Sequence, residues 1–451
     1  MISFNRILWD GFFLPGVFLC GGLYLLRCRF YPLRRFGLVL RRTVFGLCKP
    51  SKDSDSLSPL QAASTALAST VGTGNIVGTA QAIALGGPGA LVWLWITALF
   101  GMVIKYAEIL LALKFRDPKH PGGPMDYIRA LGPGFGTLAG VYALFALLSS
   151  FGMGNLCQIR SGASAFSLTV GQFMSLSSRQ DLLLRLGLGL VLALLLGRIL
   201  AGGAKGVGRA AALLVPLMSG AFLLLSLLVL ICHAQRLPVV LQTILLSAFC
   251  PEAVGGAAVG IGAREAIHWG IRRSAFSNEA GLGSSAFAHA AVETEEAVAH
   301  SFWGVFEVFA DTIVICTATA LVILCSGAAI PWGESPGPEL FQAALATVFG
   351  ELPSALFMCT SMLVFAFATV LGWSLYGECC CRYLLGGKAV PIYRLLAAIC
   401  VIFGCVMSTS SVWLLSDTAN ALMAIPNLTA LLLHGDLVAK ETKKFFMNEK
   451  R

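Results

Sequence analysis

Long apolar runs separated by short polar stretches dominate the chain, and the runs are too long for the helices of a soluble core. A membrane-crossing helix needs about 20 mostly apolar residues, and eleven segments meet that length: 8–27, 60–85, 89–113, 134–157, 182–200, 210–232, 239–263, 300–327, 353–381, 393–410 and 412–434. Composition agrees. Of the 451 residues 57% are hydrophobic and 12% charged, with a mean hydropathy of +0.80, whereas soluble domains carry about 25% charged residues. The pattern predicts an all-α polytopic membrane protein with no room for a separate soluble domain. The first apolar run lacks a strongly basic leader and a small-residue cleavage pattern, so it is expected to be a retained span.

The net charge of +9 gains meaning from its distribution. If loops alternate sides beginning inside after the first span, the stretches 27–59, 114–133, 198–209, 264–299, 382–394 and 440–451 hold 26 of the 32 Lys and Arg. That bias follows the positive-inside rule, puts the N-terminus outside and the C-terminus in the cytoplasm, and removes the case for nucleic-acid binding. The 14 cysteines fall mostly in apolar runs, without the spacing of a zinc site or a disulfide framework. After the first helix and a basic link (1–59), ten spans divide into 60–238 and 239–435, ahead of a basic tail at 436–451. Five spans per half implies opposite orientations, the inverted-repeat plan of secondary transporters.

Each half opens on a disrupted span. The first reads S-T-V-G-T-G-N-I-V-G-T (Ser69 to Thr79), and the second carries P-E-A-V-G-G (Pro251 to Gly256). Glycine inside a helix costs about 1 kcal/mol relative to alanine, and proline removes a backbone donor. Unwound backbone at membrane depth requires protein or a bound solute to satisfy it. Half-helix N-termini suit a carboxylate, and freed carbonyls suit a small cation. The alternative is that Gly72, Gly74 and Gly78 only permit close helix packing. A dinucleotide fingerprint is excluded, because the third glycine comes one position late and no strand precedes it.

Several polar residues stand out within the apolar runs. Gln158 and Arg160 end the fourth span, either facing a zwitterion or bonding between helices. Phe365, Thr369 and Trp373 recur every four residues and share a helix face, which suits either a pocket wall or plain packing. Lys105 and Glu108 are spaced to pair along one helix. Asp311 and Asp417 are candidate proton or cation groups, or else helix caps. The stretch F-S-N-E-A-G-L-G-S-S (Phe276 to Ser285) with His289 and Glu293 is expected to be a cytoplasmic gating or packing segment rather than a metal site. A membrane-embedded transferase acting on a lipid carrier is the rival reading. It would need a cluster of His, Asp or Glu at one membrane face; a channel would need a ring or oligomer motif.

The blocks A-L-A-S-T-V-G-T-G-N-I-V-G-T-A-Q-A-I-A-L-G-G-P-G-A, W-L-W-I-T-A-L-F-G-M-V-I-K-Y-A-E, F-S-N-E-A-G-L-G-S, D-T-I-V-I-C-T-A-T-A-L-V-I-L and N-A-L-M-A-I-P-N-L, in this order between about residues 60 and 430, closely resemble the alanine or glycine:cation symporter family. The resemblance implies a leucine-transporter-type fold: one extra N-terminal helix, then a five-plus-five inverted repeat with two broken helices. It also implies no enzymatic activity and no cofactor. What is expected instead is uptake of a small neutral amino acid (alanine, glycine, D-alanine) with Na+ or H+ across a bacterial plasma membrane, the lipid being the remaining partner. Thr73, Gly74 and Asn75 would surround the substrate carboxylate, with Gln158 and Trp373 completing the pocket. The cation would lie among the carbonyls of Ala68, Val71 and Phe365 and the hydroxyl of Thr369, with no other metal bound. Two positions depart from the family pattern: Ala368 where a hydroxyl residue is usual, which leaves H+ open as the coupling ion, and Arg160 where a small amide is usual.

Overall fold

A computed structural model describes residues 5, 7–44, 57–117, 122–249, 262–294, 296–407 and 409–448. Among these, secondary structure is helical apart from one isolated bridge, Leu57 to Val292. The helices used below are α1 (Ile7–Arg27), α2 (Pro59–Thr70), α3 (Thr79–Gly86), α4 (Ala90–Lys114), α5 (Phe135–Gly171), α6 (Ser178–Ala201), α7 (Gly203–Cys232), α8 (Leu237–Phe249), α9 (Ala263–Asn278), α10 (Ser284–Ala290), α11 (Ala297–Ser326), α12 (Glu339–Phe349), α13 (Glu351–Leu385), α14 (Val390–Val406), α15 (Thr409–Leu433) and α16 (Gly435–Asn448). Eight helices among the described residues are long and apolar enough to cross a membrane, or nine if the pair around His434, bent by 59°, counts as one span. Of the other predicted spans, 60–85 is broken into α2 and α3, and 239–263 runs partly outside the described residues.

Local sequence explains where the first break falls. Ser58 and Gln61 form a reciprocal capping box ahead of Pro59, which fixes the start of α2. The helix stops at Val71, whose ψ of 90° is extended, and resumes after Gly72 and Thr73 through a wide turn at Gly74–Gly78 that feeds α3. Similar wide turns interrupt α5 at Ser150–Cys157 and α11 at Phe309–Cys316. Such turns insert a residue and re-aim the neighbouring side chains.

Inside the bundle, α4 is apolar almost all round and largely buried, packing on α1, α9, α10 and α11. By contrast α6, α7 and α14 present exposed leucines and isoleucines, among them Leu183, Leu194, Leu213, Leu217, Ile392 and Leu395. These outward apolar faces belong against lipid.

The second half corrects the expected layout. Its predicted break, Pro251 to Gly256, lies outside the described residues, and α8 is a short apolar helix. The stretch read as a loop is instead two helices meeting at a buried break. α9 and α10 are separated by Glu279–Gly283, where Glu279, Gly281 and Gly283 have φ of 56°, 92° and 77°, and every residue from 276 to 285 is buried. The left-handed backbone explains the two glycines. Three arginines counted as loop charges therefore sit on α9: Arg272 pairs with Asp417, and Arg273 is buried with its guanidinium over the Trp269 ring.

Candidate functional site

The interruption between α2 and α3 frees backbone groups, and three of them find specific partners. Gly72 N–H, which would have continued the helix to Ala68 O, donates to Asn75 Oδ1 at 2.9 Å. Ala68 O is left to accept from Thr369 Oγ1 on α13 at 2.9 Å, and the same hydroxyl lies 3.1 Å from Phe365 O. Thr369, Ala68 and Phe365 thus bring together three oxygens, all from fully buried residues and of the ligand type that hard cations take. Val71 lies one turn on, buried, its N–H bonded to Leu67 O at 2.7 Å. Beside this set, Thr73 donates from both N and Oγ1 to Gln158 Oε1 at 3.1 and 2.7 Å. Gly72 is glycine for a steric reason: a Cβ there would fall 2.6 Å from Thr369 Oγ1 and 3.0 Å from Gln158 Oε1.

Asn75 faces the other way. Its Nδ2 donates to Asp311 Oδ1 at 2.6 Å, and the second Asp311 oxygen accepts from Ser277 of α9 at 2.9 Å and Thr312 at 2.7 Å. One carboxylate on α11 therefore joins the interruption after α2 to the last turn of α9. Gly74 packs on the Phe276 ring, the nearest ring carbons being 3.5 Å from where its Cβ would be. Trp373 is fully buried, seated on Gly154 of the wide turn in α5, and its Nε1 donates to Glu279 Oε1 at 2.8 Å. The structure thus brings Thr73 to Gln158, and Thr369 to Ala68 and Phe365. Asn75 turns to α11 and Trp373 to the α9–α10 break.

Other expectations change. Asp311 and Asp417 lie within helices and are not caps; Asp417 is ion-paired to Arg272. Lys105 and Glu108 do not pair with each other: Lys105 Nζ is 2.6 Å from Ser285 Oγ and 3.4 Å from Glu307, while Glu108 Oε1 accepts from Gly281 N, Gly283 N and Asn427 Nδ2 at 3.0, 3.0 and 2.7 Å. His289 bonds Glu307 and His300, and no group of three or more His, Cys, Asp or Glu among the described residues is arranged to hold a metal ion. Arg160 donates to Cys405 O on α14 at 3.1 Å. Sequence reasoning missed Ser277 and Glu279. The signal was available in E-A-G-L-G, where two glycines two apart interrupt a helix.

Residues 1–451 match the family model described as the sodium:alanine symporter family. The chain belongs to that family. As a member it is a transporter rather than an enzyme, of the class that couples amino-acid movement to a cation. This symporter is 37% identical over 452 residues to the sodium/alanine symporter AgcS of Methanococcus maripaludis, covering 98% of this chain and 95% of that protein. It is 34% identical over 454 residues to the probable sodium/glutamine symporter GlnT of Bacillus subtilis, covering 99% and 90%. Among solved structures its fold is similar to that of MhsT in complex with L-phenylalanine, with a TM-score of 0.59 at 15% identity over 85% of this chain and 90% of that one. The symporter therefore has the leucine-transporter-type fold, and no role for a lipid-carrier transferase remains.

Proposed function

We propose that the symporter takes up a small neutral amino acid, alanine or a close relative such as glycine or D-alanine, together with Na+. The observation that carries this reading is the convergence of Ala68 O, Phe365 O and Thr369 Oγ1 beside the Thr73–Gln158 contact. Cation and amino acid would then share the unwound segment, each satisfying groups that the helix gave up. Thr73 N–H and Oγ1, at the entry to the second half-helix, are donors for a carboxylate, and the substrate would displace Gln158 Oε1 from them. Trp373 limits the room for the side chain, which favours alanine over the larger substrate named for GlnT. Rocking of one bundle against the other would expose the site alternately, with the C-terminus and the basic loops on the cytoplasmic side of a bacterial plasma membrane.

Proton coupling is the second reading, favoured by Asp311, which contacts Asn75 of the unwound segment at 2.6 Å. Radiolabelled alanine uptake into proteoliposomes under an inward sodium gradient or an inward proton gradient separates the two. Sodium-driven accumulation, competed by glycine and not by large amino acids, is the expected result. Accumulation driven only by protons would replace Na+ with H+, and none under either gradient would refute the substrate assignment.

A further inference from the structure

Three carboxylates, Glu108, Glu279 and Glu307, surround a single ammonium, Lys105, and all four side chains are fully buried. With every group ionised the cluster would hold a net negative charge away from water, a costly arrangement that proton uptake relieves. The cluster is also directional. At one end Glu279 touches the candidate pocket, bonding Trp373 Nε1 at 2.8 Å and Ser284 Oγ. The adjacent Ser285 Oγ meets Lys105 Nζ at 2.6 Å, and Lys105 reaches Glu307 Oε2 at 3.4 Å. Glu307 Oε1 then lies 2.6 Å from His289 Nε2, and His289 Nδ1 lies 2.9 Å from His300 Nε2. His300 stands in the first turn of α11, its backbone N–H bonded to the carbonyl of Glu296, whose side chain is exposed and pairs with Arg42.

We propose that Glu307, His289 and His300 form a proton relay between the surface at the start of α11 and Lys105, which leads through Ser285 to the Glu279 end beside the pocket, so that transport is accompanied by movement of a proton. The proposal rests on the symport reading above. In the starting arrangement His300 Nε2–H donates to His289 Nδ1, and His289 Nε2–H donates to the Glu307 carboxylate. A proton arriving from water binds His300 Nδ1. The His300 Nε2–H bond breaks as an N–H bond forms at His289 Nδ1; the His289 Nε2–H bond breaks as an O–H bond forms on Glu307 Oε1. One proton enters at the surface and one is stored on Glu307, with both rings left neutral in the opposite tautomer.

Neutral Glu307 no longer holds Lys105, whose remaining counter-charges are Glu279 and Glu108. The ammonium's pull then shifts toward the break that carries Glu279 and Trp373. Asp311 on α11 and the Tyr376 hydroxyl on α13 also face this cluster, and Cys20 and Tyr24 of α1, Tyr127, and Tyr142 of α5 face it at Glu108. A single proton thus changes the electrostatic balance at the pocket wall without entering the pocket.

The test is a measurement of internal pH with a trapped dye during sodium-driven alanine uptake into proteoliposomes, with the membrane potential clamped and no starting pH difference. A pH change that tracks alanine entry in the wild-type protein is expected, its sign reporting whether the proton moves with or against the amino acid. In His289→Gln and His300→Gln the proton signal per alanine should fall about tenfold or more, a threshold set by one decade per 1.4 kcal/mol, while alanine-for-alanine exchange continues. Wild-type accumulation of alanine with no pH change overturns the relay and leaves symport standing, as does an undiminished signal in both variants. Failure of the wild type to accumulate alanine at all overturns the symport reading and the relay with it. Should either variant fail to fold, Glu307→Gln read in the same way takes its place, and an undiminished signal there overturns the relay.

Discussion

Replacing Thr369 by valine keeps the branched shape and removes one oxygen. In the empty site the loss falls on Ala68 O, which has no helical donor because Gly72 N–H is committed to Asn75. Leaving that buried carbonyl unmatched costs about 1–3 kcal/mol, some of it recoverable by local relaxation. The larger effect is on the bound cation, because hydrogen-bonding groups that act on a charge are worth about 1.5–3 kcal/mol each. At one decade per 1.4 kcal/mol this raises the half-saturating sodium concentration roughly 10- to 100-fold. The assay is alanine uptake against sodium concentration at a clamped potential, with monodispersity on size-exclusion chromatography as the check on folding. The saturating rate should survive, and Thr369→Ser, which keeps the hydroxyl, should stay within about threefold of the wild type, well under one decade. A folded Thr369→Val protein with unchanged sodium dependence would refute the cation assignment.

Other substitutions probe the rest of the site. Gln158→Ala removes the amide that, once displaced from Thr73, would itself bond the bound zwitterion, and should raise the KM for alanine about tenfold, equivalent to one good hydrogen bond; an unaltered KM would return Gln158 to a packing role. Trp373→Ala should weaken alanine uptake and admit larger amino acids in competition assays, and unchanged selectivity would remove Trp373 from the pocket. Gly154→Ala puts a methyl into the space of the Trp373 side chain, which must shift; overpacking of this kind costs about 1–3 kcal/mol. Lower thermal stability together with slower uptake is expected, and wild-type values in both would contradict the contact. Ala368→Ser restores the hydroxyl usual in the family beside Thr369, and should lower the half-saturating sodium concentration.

The first break was legible because Gly72, Gly74 and Gly78 stand in an apolar run, where nothing but a broken helix or close packing accounts for them. The helix face that carries Phe365, Thr369 and Trp373 was legible from spacing alone. The break between α9 and α10 was not, and the one expected at Pro251 to Gly256 lies outside the described residues. Arg264, Glu265, His268, Arg272 and Arg273 lower the hydropathy of α9 to that of a loop, and only tertiary partners reveal it as an internal helix. Arg272 meets Asp417 from α15, and His268 lies 3.7 Å from Asp10 of α1. Likewise Lys105 and Glu108 have the spacing of a pair, but their partners come from residues 170 or more positions away. Local spacing carries no information about such contacts.

Asn75 and Ser277 bond opposite oxygens of Asp311, and this has a consequence for how the chain can be rebuilt. The segment after α2 is not an interchangeable module, since its joint with α9 and α11 draws Asn75 from one side and Ser277 and Asp311 from the other. A chimera that takes its first half from one relative and its second from another inherits this clamp only if all three side chains match. Half-swaps among family members should therefore succeed or fail according to that triad, whatever the overall identity of the parents.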